Sequence, residues 1–293
     1  MSNSNQITAG IYHRIALGSA YGMTDVGLVR RANEDNFLID PATGLVAVAD
    51  GMGGHDGGEI ASRTVLEAMR ASLGQSLRQG LHQKLAPQAL ANSDPDATWH
   101  DQHMPAVLMV HAAVDYANSQ VFAANVHNQS VDGGGMGTTL TGFWHGPGPL
   151  IVFHVGDTRL YRMRAGELAL LTRDQTMYQQ ALEEGMSDNL PARNLLLQAI
   201  GPNQDVIPDV RVCPVQKGDL FMLCSDGLYG NVPHAALASA LAGASAGTLD
   251  ACCAALIELA KTYGSRDNIT ALLALCQRHD GADSQAGRAT PQP

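Results

Sequence analysis

The stretch LVAVADGMGGHDGGEIA, Leu45 to Ala61, decides how the rest of the chain is read. Leu45 to Ala49 are small or branched apolar residues, the pattern of a buried strand, and Asp50 stands where that run ends. The glycine-rich turn that follows lets the backbone reverse tightly before a helix with Glu59 in its first turn. The strand thus delivers one carboxylate to a sheet edge. Three later stretches repeat the device: PLIVFHVGD brings Asp157, GDLFMLCSD brings Asp226, and SRDNITALLAL sets Asp267 just ahead of an apolar run. Carboxylates held close together at strand ends repel one another and lose water, so their convergence implies a cation among them.

Oxygen ligands alone select hard ions such as magnesium or manganese, and neither HExxH nor a paired CxxC is present to suggest zinc. Two such ions sharing a carboxylate lower the pKa of a bridging water and clamp both oxygens of an in-line displacement at phosphorus. The remaining phosphate oxygens then need a cation of their own. Arg30 qualifies, because a guanidinium stays charged and offers two donors in one plane. It lies with Glu34 beside a turn-forming Asn33–Glu34–Asp35 cluster, between expected strands at 27–30 and 37–39.

Working outward, Ile60, Val65, Met69, Leu73, Leu77 and Leu81 recur at helical spacing, and Val107, Val110, Val114, Ala117 and Val121 mark a second helix. Between them, residues 80–104 read as an irregular surface loop. From Gly133 the period changes to two, with a hairpin turn at Ala165–Gly166. Residues 174–200 read as short helices around a mobile flap. A strand before Asp226, a helix opened by Pro233, a helix capped by Thr248 and a closing strand at 269–275 complete the pattern. Residues 1–13 read as a flexible arm and 278–293 as a disordered tail, leaving 14–277 as one domain.

Composition narrows the class. The 293 residues are 45% hydrophobic, ample for a core, and carry 18 basic against 28 acidic residues for a net charge of −10. That balance argues against nucleic acid as a partner. Five cysteines, an odd number, read as reduced packing residues, and no run reaches the roughly 20 apolar residues of a membrane span. The expected location is the cytoplasm, without membrane attachment. His154 reads as a satisfied strand histidine, His55 as a loop histidine, and Cys252 and Cys253 as core plus flank.

The blocks GLVRRANEDN, VADGMGGHDGGEIAS, GMGTTLTG, HVGDTRLYRMRAGEL, LCSDGLYGNV and SRDNIT stand in the order and spacing of the metal-dependent protein phosphatases. The chain resembles the bacterial form of that PPM, or type 2C, family over roughly residues 17–276. The resemblance implies an α+β fold: a four-layer α-β-β-α sandwich of two antiparallel sheets flanked by helices, with the metal cluster at one edge. It implies that Asp50 bridges two Mn2+ or Mg2+ ions, that the Gly51 carbonyl binds one, and that Asp226 and Asp267 complete the other. Asp157 with Asp226 resembles the pair that holds a third, weaker ion. Glu34 and Asp35 resemble the residues that hold metal-bound waters, and Arg30 the phosphate ligand.

The implied reaction is hydrolysis of phosphoserine and phosphothreonine in proteins by direct attack of a metal-activated water, reversing a cognate serine/threonine kinase. A monomer is expected. Two departures stand out: Met52 occupies the position where eukaryotic members carry a candidate general-acid histidine, and Asn194 stands where a relative uses serine near the third metal. Two other classes fit the same blocks, a phosphatase dedicated to a single regulator such as an anti-sigma antagonist, and a catalytically silent phosphoprotein-binding module.

Overall fold

In the computed structural model, residues 7–53, 57–81, 103–127 and 135–277 are described, and the apolar runs within them become strands. The chain begins with β1 (Ile7–Ala9), β2 (His13–Ile15), β3 (Gly18–Asp25), β4 (Asp35–Asp40) and β5 (Leu45–Met52), then α1 (Gly57–Arg78) and α2 (Met104–His127). It continues through β6 (Gly137–Thr138), β7 (Leu140–Trp144), β8 (Leu150–Val155), β9 (Arg159–Arg164), β10 (Glu167–Leu170), α3 (Met177–Glu183) and β11 (Asp209–Cys213). It closes with β12 (Leu220–Cys224), α4 (Asp226–Tyr229), α5 (His234–Leu241), α6 (Leu249–Thr262) and β13 (Ile269–Cys276).

Two sheets result. One runs β1-β3-β13-β12-β9-β10 with β2 beside β3; the other runs β11-β8-β7-β5-β4 with β6 beside β5. Every named pairing is antiparallel. Strand alternation explains the layering. Val46 and Val48 of β5 point between the sheets with Phe143, Val152, Phe221 and Leu272. Ala47 and Ala49 point the other way, onto Val65 and Met69 of α1 and into the same core as Val110 and Val114 of α2. On the opposite side, Met222 and Leu273 meet Leu237, Leu256 and Ile257 of α5 and α6. The fold is therefore the expected four-layer α-β-β-α sandwich, and its strands read as continuous apolar runs because both of their faces are covered.

Several local expectations are corrected. β5 runs on to Met52, so Asp50 and Gly51 lie inside a strand rather than past its end. Gly51 faces Gly58 so closely that a Cβ would meet the Gly58 carbonyl oxygen at 2.1 Å. Residues 27–30 form no strand: Gly27 takes φ +77° and the chain passes to β4 through turns and bends. The polar start joins a sheet from Ile7, through pairing of Ile7–Ala9 with Met23–Asp25, so it is not an arm throughout 1–13. Pro233 is the residue before α5 rather than its first turn. Thr248 precedes α6 without capping it; its hydroxyl oxygen accepts from the Ser245 backbone N–H at 2.9 Å instead. Cys252 and Cys253 are both buried. The hairpin at Ala165–Gly166 stands, with φ values of +51° and +85°. The expected tail at 278–293, His55 and most of the 80–104 loop lie outside the described residues.

Candidate active site

Asp35 and Asp50 are directly opposite one another in the β4–β5 ladder. Asp226 follows β12, Asp267 precedes β13 in the other sheet, and Asp157 lies in the connection that crosses from β8 to β9. The two sheets thus bring their carboxylates to one edge. There a cleft of about 270 Å³ is lined by Arg30, Glu34, Asp50, Gly51, Asp157, Asp226 and Asp267, together with Met52, Gly53, Thr139, Asn194, Leu196 and Asn268. Every sequence-expected site residue lines this cleft except Asp35, which is buried behind it.

Burial sets the electrostatics. Asp50 is held well above the ordinary carboxylate range, first by burial and then by Asp35, Asp226, Asp157 and Asp267. Burial, then the charge of Asp226, pushes Asp157 up to about 7. Asp226 is raised by burial and by Asp267, with Arg30 opposing. Burial also raises Glu34 against the pull of Arg30. Arg30 Nη2 donates to Asp267 Oδ2 at 2.6 Å, and this contact leads the causes that raise the arginine.

Asp35 is the most constrained of the set. Its Oδ2 accepts from Ser225 Oγ at 2.6 Å and Thr270 Oγ1 at 2.7 Å, while its buried Oδ1 has no hydrogen-bond partner. Because the Thr270 proton goes to the carboxylate, the 2.7 Å contact between Thr24 Oγ1 and Thr270 Oγ1 takes its proton from Thr24. Asn33 Nδ2 in turn donates to Thr24 Oγ1 at 2.9 Å. The chain of donors therefore runs in one direction, from Asn33 to Asp35. Burial nevertheless raises Asp35, with the two hydroxyls opposing and Asp226 and Asp267 adding to the rise.

Threonines fix Asp50 from the neighbouring strand. Thr139 Oγ1 accepts from the Asp50 N–H at 2.9 Å, and Thr138 Oγ1 donates to the Asp50 carbonyl at 2.9 Å. Sequence reasoning quoted these threonines in GMGTTLTG but gave them no role; their adjacency at a strand end facing an acidic strand end is the only signal available. It also missed Ser225, Thr270 and Asn268. His154 is a satisfied strand residue as expected: its ring nitrogens contact Thr141 Oγ1 at 2.7 Å and the Arg173 carbonyl at 2.9 Å, and burial pushes its pKa down to about 4.

The donor set fits a hard divalent cation. It is all oxygen, it carries one orphaned buried carboxylate oxygen, and its carboxyls are raised first by burial and then by mutual repulsion, which a cation offsets. Among the described residues no three His, Cys, Asp or Glu side chains close on a single point as a ready-made chelate.

Known proteins are similar to this chain over most of its length. The protein phosphatase 2C family model matches residues 30–273. The serine/threonine protein phosphatase PstP of Mycobacterium tuberculosis is 33% identical over 267 residues, covering 89% of this chain and 46% of that protein. The serine/threonine phosphatase stp of Listeria innocua is 32% identical over 258 residues, 85% of this chain and 92% of that protein. The chain thus spans about half the length of the mycobacterial relative and nearly all of the listerial one. A solved structure of the PstP catalytic domain in complex with two manganese ions superposes with a TM-score of 0.66 at 30% identity, covering 93% of this chain and all of that one. With a family model spanning most of its length, relatives at this identity and a solved structure that superposes over most of the chain, the chain belongs to the protein phosphatase 2C family.

Proposed function

We propose that this protein is a metal-dependent phosphoprotein phosphatase that hydrolyses phosphoserine and phosphothreonine. The observation that carries the reading is the shared cleft: one arginine, Arg30, faces the carboxylates of Asp50, Asp157, Asp226 and Asp267. Asp50, the Gly51 carbonyl, Asp226 and Asp267 would hold two Mn2+ or Mg2+ ions, with Asp157 and Asp226 taking a third more weakly. The PstP domain, which carries two manganese ions, supports that number. When bound, such ions lower the pKa of a water and offset charge on a phosphoryl group.

The chain supplies the rest. The planar fork of Arg30 holds two non-reacting phosphate oxygens. Glu34, at the cleft, and Asp35, behind it, orient water through carboxylate oxygens, Asp35 being locked in place by Ser225 and Thr270. Among the described residues no histidine lines the cleft, and Met52 occupies the position where eukaryotic members carry the imidazole. On this reading the leaving oxygen takes its proton from water. The substrates are phosphorylated proteins and the opposing enzyme is a serine/threonine kinase. On the same reading the protein acts as a monomer in the cytoplasm; among the described residues no helix is long and apolar enough to cross a membrane.

The test is phosphate release from a phosphothreonine peptide with manganese titrated in, for the wild type and for Asp226→Ala. Saturable, metal-dependent turnover that the variant loses is the expected result. Full activity after exhaustive chelation, or an unaffected variant, would overturn the reading. Turnover confined to one protein substrate would indicate a phosphatase dedicated to a single regulator.

A further inference from the structure

The loop between β3 and β4, residues 26–34, carries both Arg30 and Glu34, yet Leu28 and Val29 at its tip are exposed and pack on little. Its shape comes from a residue over 230 positions away. Asn268, 5% exposed, donates from Nδ2 to the carbonyls of Val26 at 3.0 Å and Ala32 at 2.9 Å, and its Oδ1 accepts from the Glu34 N–H at 2.9 Å. A single amide therefore ties the start of the loop to its end. A primary amide has two donors and an acceptor in one plane, so no other side chain of this size repeats the pattern.

The anchor itself is gripped from both sides. Gly27, at φ +77°, leaves room for the Asp267 carbonyl, which a Cβ there would approach to 2.2 Å. Gly227 does the same for the Asn268 carbonyl, at 1.9 Å. The Asp267–Asn268 backbone is thus fixed between the loop and α4, and the loop is built onto it.

We infer that Asn268 is the positioning residue of the anion-binding loop: its amide sets where the Arg30 guanidinium stands over the cleft. The inference rests on the phosphatase reading for its kinetic test. Without the amide the Val26–Glu34 loop keeps its length but loses its closure, and a guanidinium displaced by about 1 Å binds phosphate poorly. A residue that only stabilised the fold would lower the melting temperature without separating KM from kcat.

The experiment measures hydrolysis of p-nitrophenyl phosphate and its inhibition by inorganic phosphate at saturating manganese, in a cycle of Asn268→Ala, Arg30→Ala and the double variant. We expect Asn268→Ala to raise KM and the phosphate inhibition constant about tenfold, with kcat changed less than about threefold. Both effects should vanish in the Arg30→Ala background, since a residue acting through another has no effect once that other is gone. Unchanged constants, effects that persist without Arg30, or a shift confined to the manganese half-saturation would each overturn the inference. A second readout needs no turnover and so separates this inference from the phosphatase reading. In Asn268→Asp, which keeps the acceptor for Glu34 but loses both donors, exchange of the amides of residues 26–34 should accelerate about tenfold while those of β13 stay protected. Loop amides as protected as in the wild type would also overturn it.

Discussion

Asp35 and Asp50 are paired across two hydrogen-bonded strands, so that the carboxylate of Asp35, buried behind the cleft, stands beside that of Asp50, which lines it. Like charges opposite in a ladder destabilise it, so protons or cations must relieve the pair. The raised groups, Asp35, Asp50, Asp157 and Asp226, bind protons more tightly folded than unfolded. Their contribution to stability is therefore full below the ordinary carboxylate range and is lost as pH rises through the native values, about 7 for Asp157. In chelator the melting temperature should fall between about pH 5 and about pH 8, and saturating manganese should remove most of that fall while releasing protons on binding. A chelated protein equally stable at both values would contradict the assignment.

The donor chain that ends on Asp35 makes a separate prediction. Ser225 and Thr270 both favour its ionised form, against burial. Ser225→Ala removes one charge-assisted bond and should move the acid limb of metal-dependent activity upward by on the order of one pH unit. A pH–rate profile at saturating manganese checks it; an unmoved limb would mean that Asp35 does not need to ionise.

A buried ion pair supports the same region from below. Lys261 Nζ donates to Asp25 Oδ2 at 2.8 Å, and Asp25 Oδ1 accepts from the Gly27 N–H at 2.7 Å, with Asp25 wholly buried. Lys261→Met strands that carboxylate and should cost about 3 kcal/mol, read by urea unfolding. Replacing Asp25 by Asn as well should recover much of the loss, because the uncompensated charge is gone. A single-variant cost below about 1 kcal/mol would show that water pairs the carboxylate instead.

What was legible in the sequence, and what was not, follows from the range of the contacts. Asp50, Asp157, Asp226 and Asp267 announce themselves because each adjoins an apolar run whose burial is written locally. Both helical layers are legible for the same reason: Val65, Met69 and Leu73 share one face of α1, and Leu249, Cys253 and Leu256 one face of α6. Residues 27–30 were misread as a strand because their conformation is dictated by Asn268 and by the close approach of Gly27 to Asp267, neither of which leaves a local period. Ser225 and Thr270 were missed since a hydroxyl at a strand end looks the same whether it faces solvent or a carboxylate. β1 was missed because three residues are too few to show alternation, and its pairing with β3 is made by backbone.

The flap begins at a second clamp. Arg159 donates to both oxygens of Asp174, from Nε at 2.9 Å and Nη2 at 2.7 Å, and from Nη1 to the Tyr161 hydroxyl at 2.9 Å. Its guanidinium lies 3.7 Å over the Tyr229 ring, whose hydroxyl donates to the Asp157 carbonyl at 2.8 Å. The start of the 174–200 segment and the turn bearing Asp157 are thus tied through one arginine. Asp174→Asn keeps the shape but gives up the charge and one of the two bonds to the fork, so it should loosen the flap while the sheets hold. We expect faster tryptic cleavage at Arg193 and a loss of about 1–2 kcal/mol in global stability. Cleavage at the wild-type rate would show that the flap is held from its far end instead, where Leu197 donates to the Gln175 carbonyl at 2.7 Å and Ile200 pairs with Thr138.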